Sequence, residues 1–539
     1  MGVEKTDDQR KIGLFSLIAI SVSGIIGSGW LFSAYIGARV AGSGVFLSWG
    51  FTLIFFLLMA FVISEIASMF PVRGLVGRMG VISHNRFFGA IFAFAIWLEL
   101  VGSMPGEAQA SVEYLASLSP SITKALMLDG SLTFVGLLVT LCFLVVYWVI
   151  NIFGIKFFAK VNNSIAIYKL IIPVLLALII IGVSFNTSNF EAYHHSFIPY
   201  GFNSVFMAIT GAGMIYAFNG FQLGTSFASE VKDPAKNLPR AMIYSILICF
   251  IIYIILQVAF IGALDTTQLQ KSGWRALNFD SPFVQLTSML GLNFMSIILY
   301  VDAFISPSGT GITFVGSASR VLCGMGKERQ MPKWFAKVDP RFNFSKTSMC
   351  FNFLVALIFL FLFNSWAVLI LFITALIVLM YMVVPISLIG MRHAYPDLER
   401  KFKLKWATFI CNLLFVLQAW IFVFIGARDM VYLISAITIF MLIFMFINIP
   451  KHGGYNLKDI AVVSIPFLVF LWIITTLIII GPADYGGTGI IGIPTLFISI
   501  GIISILSFYF FTHRKFVDKC QQMRKFDQEF LEQEHVSQE

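Results

Sequence analysis

Apolar runs of about 20 residues recur along the whole 539-residue chain, and this feature limits the fold first. A run of that length crosses the hydrocarbon core of a bilayer as a helix. In lipid every backbone N–H and C=O must find a partner within the protein, so such runs build a helical bundle. Composition agrees: 58% of residues are hydrophobic and 12% charged, against about 25% charged in soluble domains. The pattern predicts an all-α polytopic membrane protein with about 14 transmembrane helices. The expected spans are about 12–38, 43–69, 89–118, 133–155, 163–184, 201–228, 240–264, 284–318, 347–364, 366–391, 406–426, 430–449, 459–481 and 488–512. The first run is longer than a signal-peptide core and no small-residue cleavage site follows it.

Lys and Arg set the orientation. With a cytoplasmic N-terminus, thirty of the 36 basic residues fall on the inside, five (Arg39, Lys124, Lys271, Arg275, Arg428) on the outside, and Lys169 within a span. This positive-inside bias puts both termini in the cytoplasm. The net charge of +9 therefore reflects topology, and no nucleic-acid partner is expected. The six cysteines show no paired spacing, so neither a disulfide framework nor a metal site is expected. The expected partition is a cytoplasmic N-terminus at 1–11, a first five-span unit at 12–184, a second at 201–391, four additional helices at 406–512 and a cytoplasmic tail at 513–539. The tail is charged and is expected to be solvated, with a short surface helix as the alternative.

Two spans carry helix breakers. The first reads Gly24-Ile25-Ile26-Gly27-Ser28-Gly29-Trp30. Glycine in a helix interior costs roughly 1 kcal/mol relative to Ala, and broken backbone at membrane depth is tolerated where it lines a cavity or is buried in protein. A close helix–helix seam through small residues would use the same glycines. The sixth span carries Gly211 and Gly213, then Ala217-Phe218-Asn219-Gly220-Phe221-Gln222. Matched interruptions five spans apart point to a binding site between inverted repeats.

The loop after the second break reads Ser229-Glu230-Val231-Lys232-Asp233-Pro234-Ala235-Lys236-Asn237-Leu238-Pro239-Arg240-Ala241. It resembles a signature of the amino acid–polyamine–organocation transporters. Gly24–Phe32 is similar to their first-span Gly-x-Gly-Ser-Gly motif. Ser319-Arg320, Gly324-Met325-Gly326 and Met331-Pro332-Lys333 are similar to the loop after their eighth span. Met104–Ala110 and Asp302–Gly311 resemble a subgroup that includes bacterial aspartate–proton symporters. One departure is Pro71-Val72-Arg73-Gly74-Leu75-Val76-Gly77, where the family has Pro-x-x-Gly-Gly and an aromatic. The resemblance implies a LeuT-type 5+5 inverted repeat in the first ten helices, with the last four as additions.

A free amino acid offers a carboxylate and an ammonium. The N-terminus of a half-helix suits the carboxylate, so the backbone of Gly27, Ser28 and Gly29 is assigned to it. Freed carbonyls suit the ammonium, with Ile25, Ala217, Phe218 and Gly220 as candidates. The resemblance implies the same division. Trp30, Phe218 and Phe221 are candidate aromatic gates; with 58 phenylalanines, core packing is the competing role. Glu107, Gln109 and Asn219 are candidates for the side-chain pocket, and Glu107 and Gln109 for a proton path or structural hydrogen bonds.

Lys169 lies inside the fifth span, where a lysine costs about 2.5–3.5 kcal/mol on insertion scales. Such residues pair, line a pathway or carry protons; snorkelling to the cytoplasmic interface is the alternative. The resemblance implies a proton-coupling lysine that bridges the first and eighth spans near Gly24 and Ser306 or Thr310. Asp302 is expected to pair with Lys169 or a polar neighbour. Glu65 and Glu113 are expected at the interfaces, and Glu99 is expected to face a loop bundle or a neighbour. No Arg lies deep in a span, which weighs against an acidic substrate.

These features predict a secondary amino acid transporter in the cell membrane, the inner one in a prokaryote, coupled to protons and needing no cofactor. An amino acid/amine exchanger and a non-transporting sensor are the alternatives. No nucleophile–His arrangement, metal spacing or phosphate loop suggests an enzyme, and no filter sequence suggests a channel.

Overall fold

The computed structural model describes residues 12–71, 75–152, 155–339, 345–448 and 457–536. The expected N-terminal segment 1–11, Val72 to Gly74 of the departing loop, and the last three tail residues lie outside the described residues. Twenty-one helices follow one another. They are α1 (Leu14–Ile25), α2 (Gly29–Ala41), α3 (Val45–Met69), α4 (Leu75–Ser83), α5 (Arg86–Ala116), α6 (Pro120–Leu126), α7 (Phe134–Ile152) and α8 (Ile155–Val183). Then come α9 (Gly201–Gly211), α10 (Met214–Phe218), α11 (Pro234–Gly262), α12 (Thr266–Ser272), α13 (Pro282–Met289), α14 (Asn293–Lys327) and α15 (Lys346–Leu362). The last six are α16 (Trp366–Ala394), α17 (Ala407–Ile425), α18 (Ala427–Asn448), α19 (Leu457–Ile479), α20 (Ile493–Thr512) and α21 (Arg514–Val536).

Among the described residues strand is confined to a hairpin of Met127–Leu128 with Ser131–Leu132, turned by Asp129-Gly130 at φ 49° and 75°. This is the Asp-Gly turn chemistry that two-residue hairpins favour. The chain is therefore nearly all-helical.

Among the described residues ten helices are long and apolar enough to cross a membrane, or eleven if the bent pair Gly201–Gly211 and Met214–Thr225 forms one span. The fourteen expected from sequence differ from this count at three places. α2 and α3 run together as Gly29–Met69, Lys346–Leu362 is shorter than a full span, and α8, a helix of 29 residues, has described side chains only from Ile167 to Val183.

α5 is the central helix. It is buried almost throughout, and it packs along α14 and α16. Asn85 caps its start by accepting from the Phe88 N–H at 2.9 Å, one of the orphan donors a helix N-terminus leaves. Opposite, α11 lies against α3, α1 and α8. The two broken spans sit within this bundle.

The tail differs from the expected solvated segment. Phe516, Val517, Cys520 and Met523 of α21 are buried, at a spacing that lays one face on the bundle. Gln521 Nε2 donates to the carbonyls of Ile82 (2.9 Å) and Ser83 (2.8 Å) at the α4–α5 corner. Arg524 Nη1 donates to Ile82 O at 2.7 Å and Tyr395 Oη at 2.6 Å. In that corner the His84 ring stacks on Phe88 at 4.3 Å, and its Nε2 lies 3.0 Å from Phe511 O. Burial pushes its pKa down to about 4.

Candidate functional site

The first break is three residues long. α1 ends at Ile25, Ile26 is extended (φ −80°, ψ 93°), and α2 starts at Gly29. The second falls after α10: Asn219 is extended (φ −62°, ψ 142°) and Gly220 takes φ 106°. Both are buried.

The breaks touch each other at two points. A Cβ on Gly220 would stand 2.7 Å from the Gly24 carbonyl carbon and oxygen, and one on Gly29 would stand 3.1 Å from Ala217 Cα. The glycines thus serve both roles considered from sequence. They interrupt the helices, and they let the interrupted backbones meet.

Some of the freed poles have partners from other helices. The Ser28 N–H, at the start of α2, donates to Glu107 Oε2 of α5 at 2.8 Å. Glu107 Oε1 accepts from the Tyr216 hydroxyl at 2.5 Å. A Cβ on Gly27 would lie 2.6 Å from the same Oε1. The Gly27 N–H itself turns back to Ile25 O at 3.1 Å. On the carbonyl side, the Tyr253 hydroxyl of α11 sits 2.8 Å from Ala217 O and 3.4 Å from Ile25 O. Gly220 O accepts from the Leu223 N–H at 2.9 Å. A carboxylate and a hydroxyl of the protein therefore occupy the positions assigned to the two charged groups of an amino acid.

Lys169 is fully buried. Its Nζ donates to Thr310 Oγ1 of α14 at 2.6 Å and to Ser23 O of α1 at 3.3 Å, next to Gly24. Thr310 Oγ1 lies 3.4 Å from Ile26 O, so α14, α8 and the first break are tied at one point. Asp302 sits further back on α14. Its Oδ1 accepts from Ser306 Oγ at 2.9 Å, and its buried Oδ2 has no hydrogen-bond partner.

The remaining expected residues divide. Asn219 Nδ2 donates to Glu99 Oε1 at 2.7 Å, and its Oδ1 lies 3.3 Å from Gln222 Nε2 and 3.2 Å from the Tyr381 hydroxyl. Gln109 turns away from the breaks and donates to Phe363 O at the α15–α16 hairpin. Trp30 packs on Phe283, ring centroids 5.7 Å apart. Phe218 packs among Trp49, Phe56 and Tyr253, and Phe221 against Phe56 and Tyr381.

Glu65 and Glu113 are both buried within the protein. Glu65 accepts two bonds from Arg392, at 2.8 and 2.7 Å, and one from the Leu404 N–H at 2.7 Å. Burial is tolerated because the carboxylate is paired and hydrogen-bonded. Glu113 Oε1 accepts from the Trp366 N–H at 2.8 Å, closing the start of α16.

Four aromatic residues went unassigned from sequence: Tyr216, Tyr253, Tyr381 and Trp366. The Trp366 indole donates to Ser28 Oγ at 2.9 Å and stacks on Phe32 at 4.5 Å. A signal for the partner of Tyr216, Glu107, was present. Glu99, Ser103, Glu107 and Ser111 recur every four residues, which lines one face of α5.

Residues 12–450 match the family model described as amino acid permease. The chain is 38% identical over 410 residues to the glutamate/serine transporter AimA of Bacillus subtilis (strain 168), covering 76% of each chain. It is 30% identical over 509 residues to the aspartate-proton symporter of that organism, covering 93% of this chain and 96% of the other. It is 25% identical over 476 residues to the branched-chain amino acid permease BcaP of the same organism, covering 83% and 95%. With its apolar helices and these matches, the chain belongs to the amino acid permease family, as an integral multi-pass amino acid transporter and not an enzyme.

Proposed function

We propose that this transporter is a proton-coupled amino acid symporter that works by alternating access on a LeuT-type 5+5 inverted repeat. The repeats are residues 12–184 and 201–391, residues 406–512 add four helices, and fourteen spans leave both termini in the cytoplasm. The substrate carboxylate takes the N-terminus of α2 at Gly27, Ser28 and Gly29. The ammonium takes freed carbonyls among Ile25, Ala217, Phe218 and Gly220. Glu107 and Asn219 face the substrate, Gln109 supports the pocket from the hairpin, and Trp30, Phe218 and Phe221 close over it. Relatives are described as a glutamate/serine transporter and an aspartate-proton symporter, so L-serine, L-glutamate and L-aspartate are the substrates to examine.

The observation that carries proton coupling is the buried Lys169 between Ser23 O and Thr310 Oγ1. A protonated amine there holds α8 and α14 against the first break. A neutral amine loses donors and charge, and the tie weakens. In proteoliposomes, an inside-alkaline pH gradient should drive accumulation of one of these amino acids, and a protonophore should abolish it. Lys169→Ala should lose gradient-driven accumulation while retaining exchange of internal for external substrate. Full gradient-driven uptake by Lys169→Ala would reject proton coupling at this residue.

A further inference from the structure

Glu107 stands at the anion-binding end of α2. Its Oε2 receives the Ser28 N–H at 2.8 Å and its Oε1 the Tyr216 hydroxyl. The side chain is wholly buried. The bare face of Gly27 lets the carboxylate approach, since a Cβ there would meet Oε1 at 2.6 Å. A helix N-terminus with a free N–H is an anion site, and here an internal anion fills it.

We infer that Glu107 is a resident competitor for the substrate carboxylate, and that substrate binding places a proton on Glu107. The inference rests on the proposed assignment of the carboxylate to the start of α2. When that carboxylate takes the Ser28 N–H, Glu107 loses a charge-assisted bond and gains a like charge at close range. Two buried carboxylates in one site do not both stay ionised. The groups around Glu107 leave it no better partner. Tyr216 of α10, Tyr147 of α7 and Tyr253 of α11 face it with neutral hydroxyls. Lys169 of α8 is its cationic neighbour, and its Nζ is engaged by Ser23 O and Thr310 Oγ1. Asp302 of α14 faces the same lysine, and Glu99 lies two turns back on α5 against Asn219. The proton comes from solution: Glu107 carboxylate plus one proton gives the carboxylic acid. No bond of the substrate changes, and the zwitterion keeps both charges. The new O–H can then donate to the substrate carboxylate, so one proton binds with each amino acid.

The test uses purified full-length protein and whichever of L-serine, L-glutamate and L-aspartate the uptake assay accepts, with ethanolamine as a probe lacking a carboxylate. In weakly buffered solution with a pH indicator, the wild type should take up about one proton per bound amino acid and none with ethanolamine. Its Kd for the amino acid should rise about tenfold per pH unit while Glu107 is ionised in the empty site. Glu107→Gln should bind with a flat pH profile and no proton uptake. Equal proton uptake by Glu107→Gln, or amino acid binding by the wild type with no uptake, would overturn the inference alone. Ethanolamine binding as well as the amino acid would overturn the carboxylate assignment beneath it. The ethanolamine comparison needs only the wild type, so it decides even if the variant does not fold.

Discussion

Gly220→Ala tests whether the contact between the two breaks holds the bundle together. Gly220 sits at φ 106°, and an added Cβ would meet Gly24 C and O at 2.7 Å and Ile25 N at 3.2 Å. All three atoms are backbone, so none can rotate away. The strained backbone costs about 1–3 kcal/mol, and forcing a methyl into a packed core costs a further 1–3 kcal/mol or so. The two act on one residue, so roughly 2–5 kcal/mol is expected, enough to separate the broken helices. Gly211→Ala is the matched control: it lies at the end of α9 in the same span, and a Cβ there meets nothing within 4 Å. Thermal unfolding followed by size-exclusion fluorescence should show a lower transition for Gly220→Ala and little change for Gly211→Ala. Uptake should fall in parallel. A Gly220→Ala protein that melts and transports like the wild type would refute the claim that these backbones are in obligatory contact.

Glu65→Ala should destabilise the protein by about 3–5 kcal/mol, because it leaves Arg392 without its bidentate partner between α3 and α16; Glu65→Ala, Arg392→Met should recover part of this in the same melting assay. Tyr253→Phe should cost about 1–3 kcal/mol by stripping the hydroxyl from Ala217 O, read as a lower melting temperature and reduced uptake. The His84 pKa of about 4 lies below its ordinary 6.5 because of burial, so the unfolded chain binds more protons between these values. Docking of α21 should therefore be unpenalised above pH 6.5 and should weaken as pH falls towards 4, by on the order of 3 kcal/mol. Hydrogen exchange of α21 should rise over that window in the wild type, and His84→Gln should flatten the dependence.

The elements read most directly from sequence were those in which a residue is costly where it stands. Glycines inside an apolar run, Asn219-Gly220 in mid-span and Lys169 inside the fifth span each demand a local explanation, and each lies at a junction of helices. The partners were harder. Tyr216, Tyr253 and Tyr381 are three of 16 tyrosines, and Trp366 is one of 10 tryptophans. Such rings fill core volume wherever they stand, and only the fold shows where the polar tip goes. The partner of Glu65 was hidden because Arg392 is distant in sequence. The docked face of α21 was masked by the charges between Phe516, Val517, Cys520 and Met523. The span count depended on the first break, since dividing that span leaves α1 short and lets α2 run on with α3.

The hydrogen bonds at the two breaks also bear on how tightly this carrier can hold its cargo. The Ser28 N–H is already answered by Glu107 and the Ala217 carbonyl by the Tyr253 hydroxyl. On the proposed assignment, an arriving amino acid would exchange like for like: one carboxylate for another, and ammonium hydrogens for a phenolic one. The free energy of binding is then the difference between two similar sets of hydrogen bonds. Only the surplus appears as affinity. A carrier has to release its cargo on every cycle, and such surrogates set a ceiling on how deep a trap the loaded state becomes.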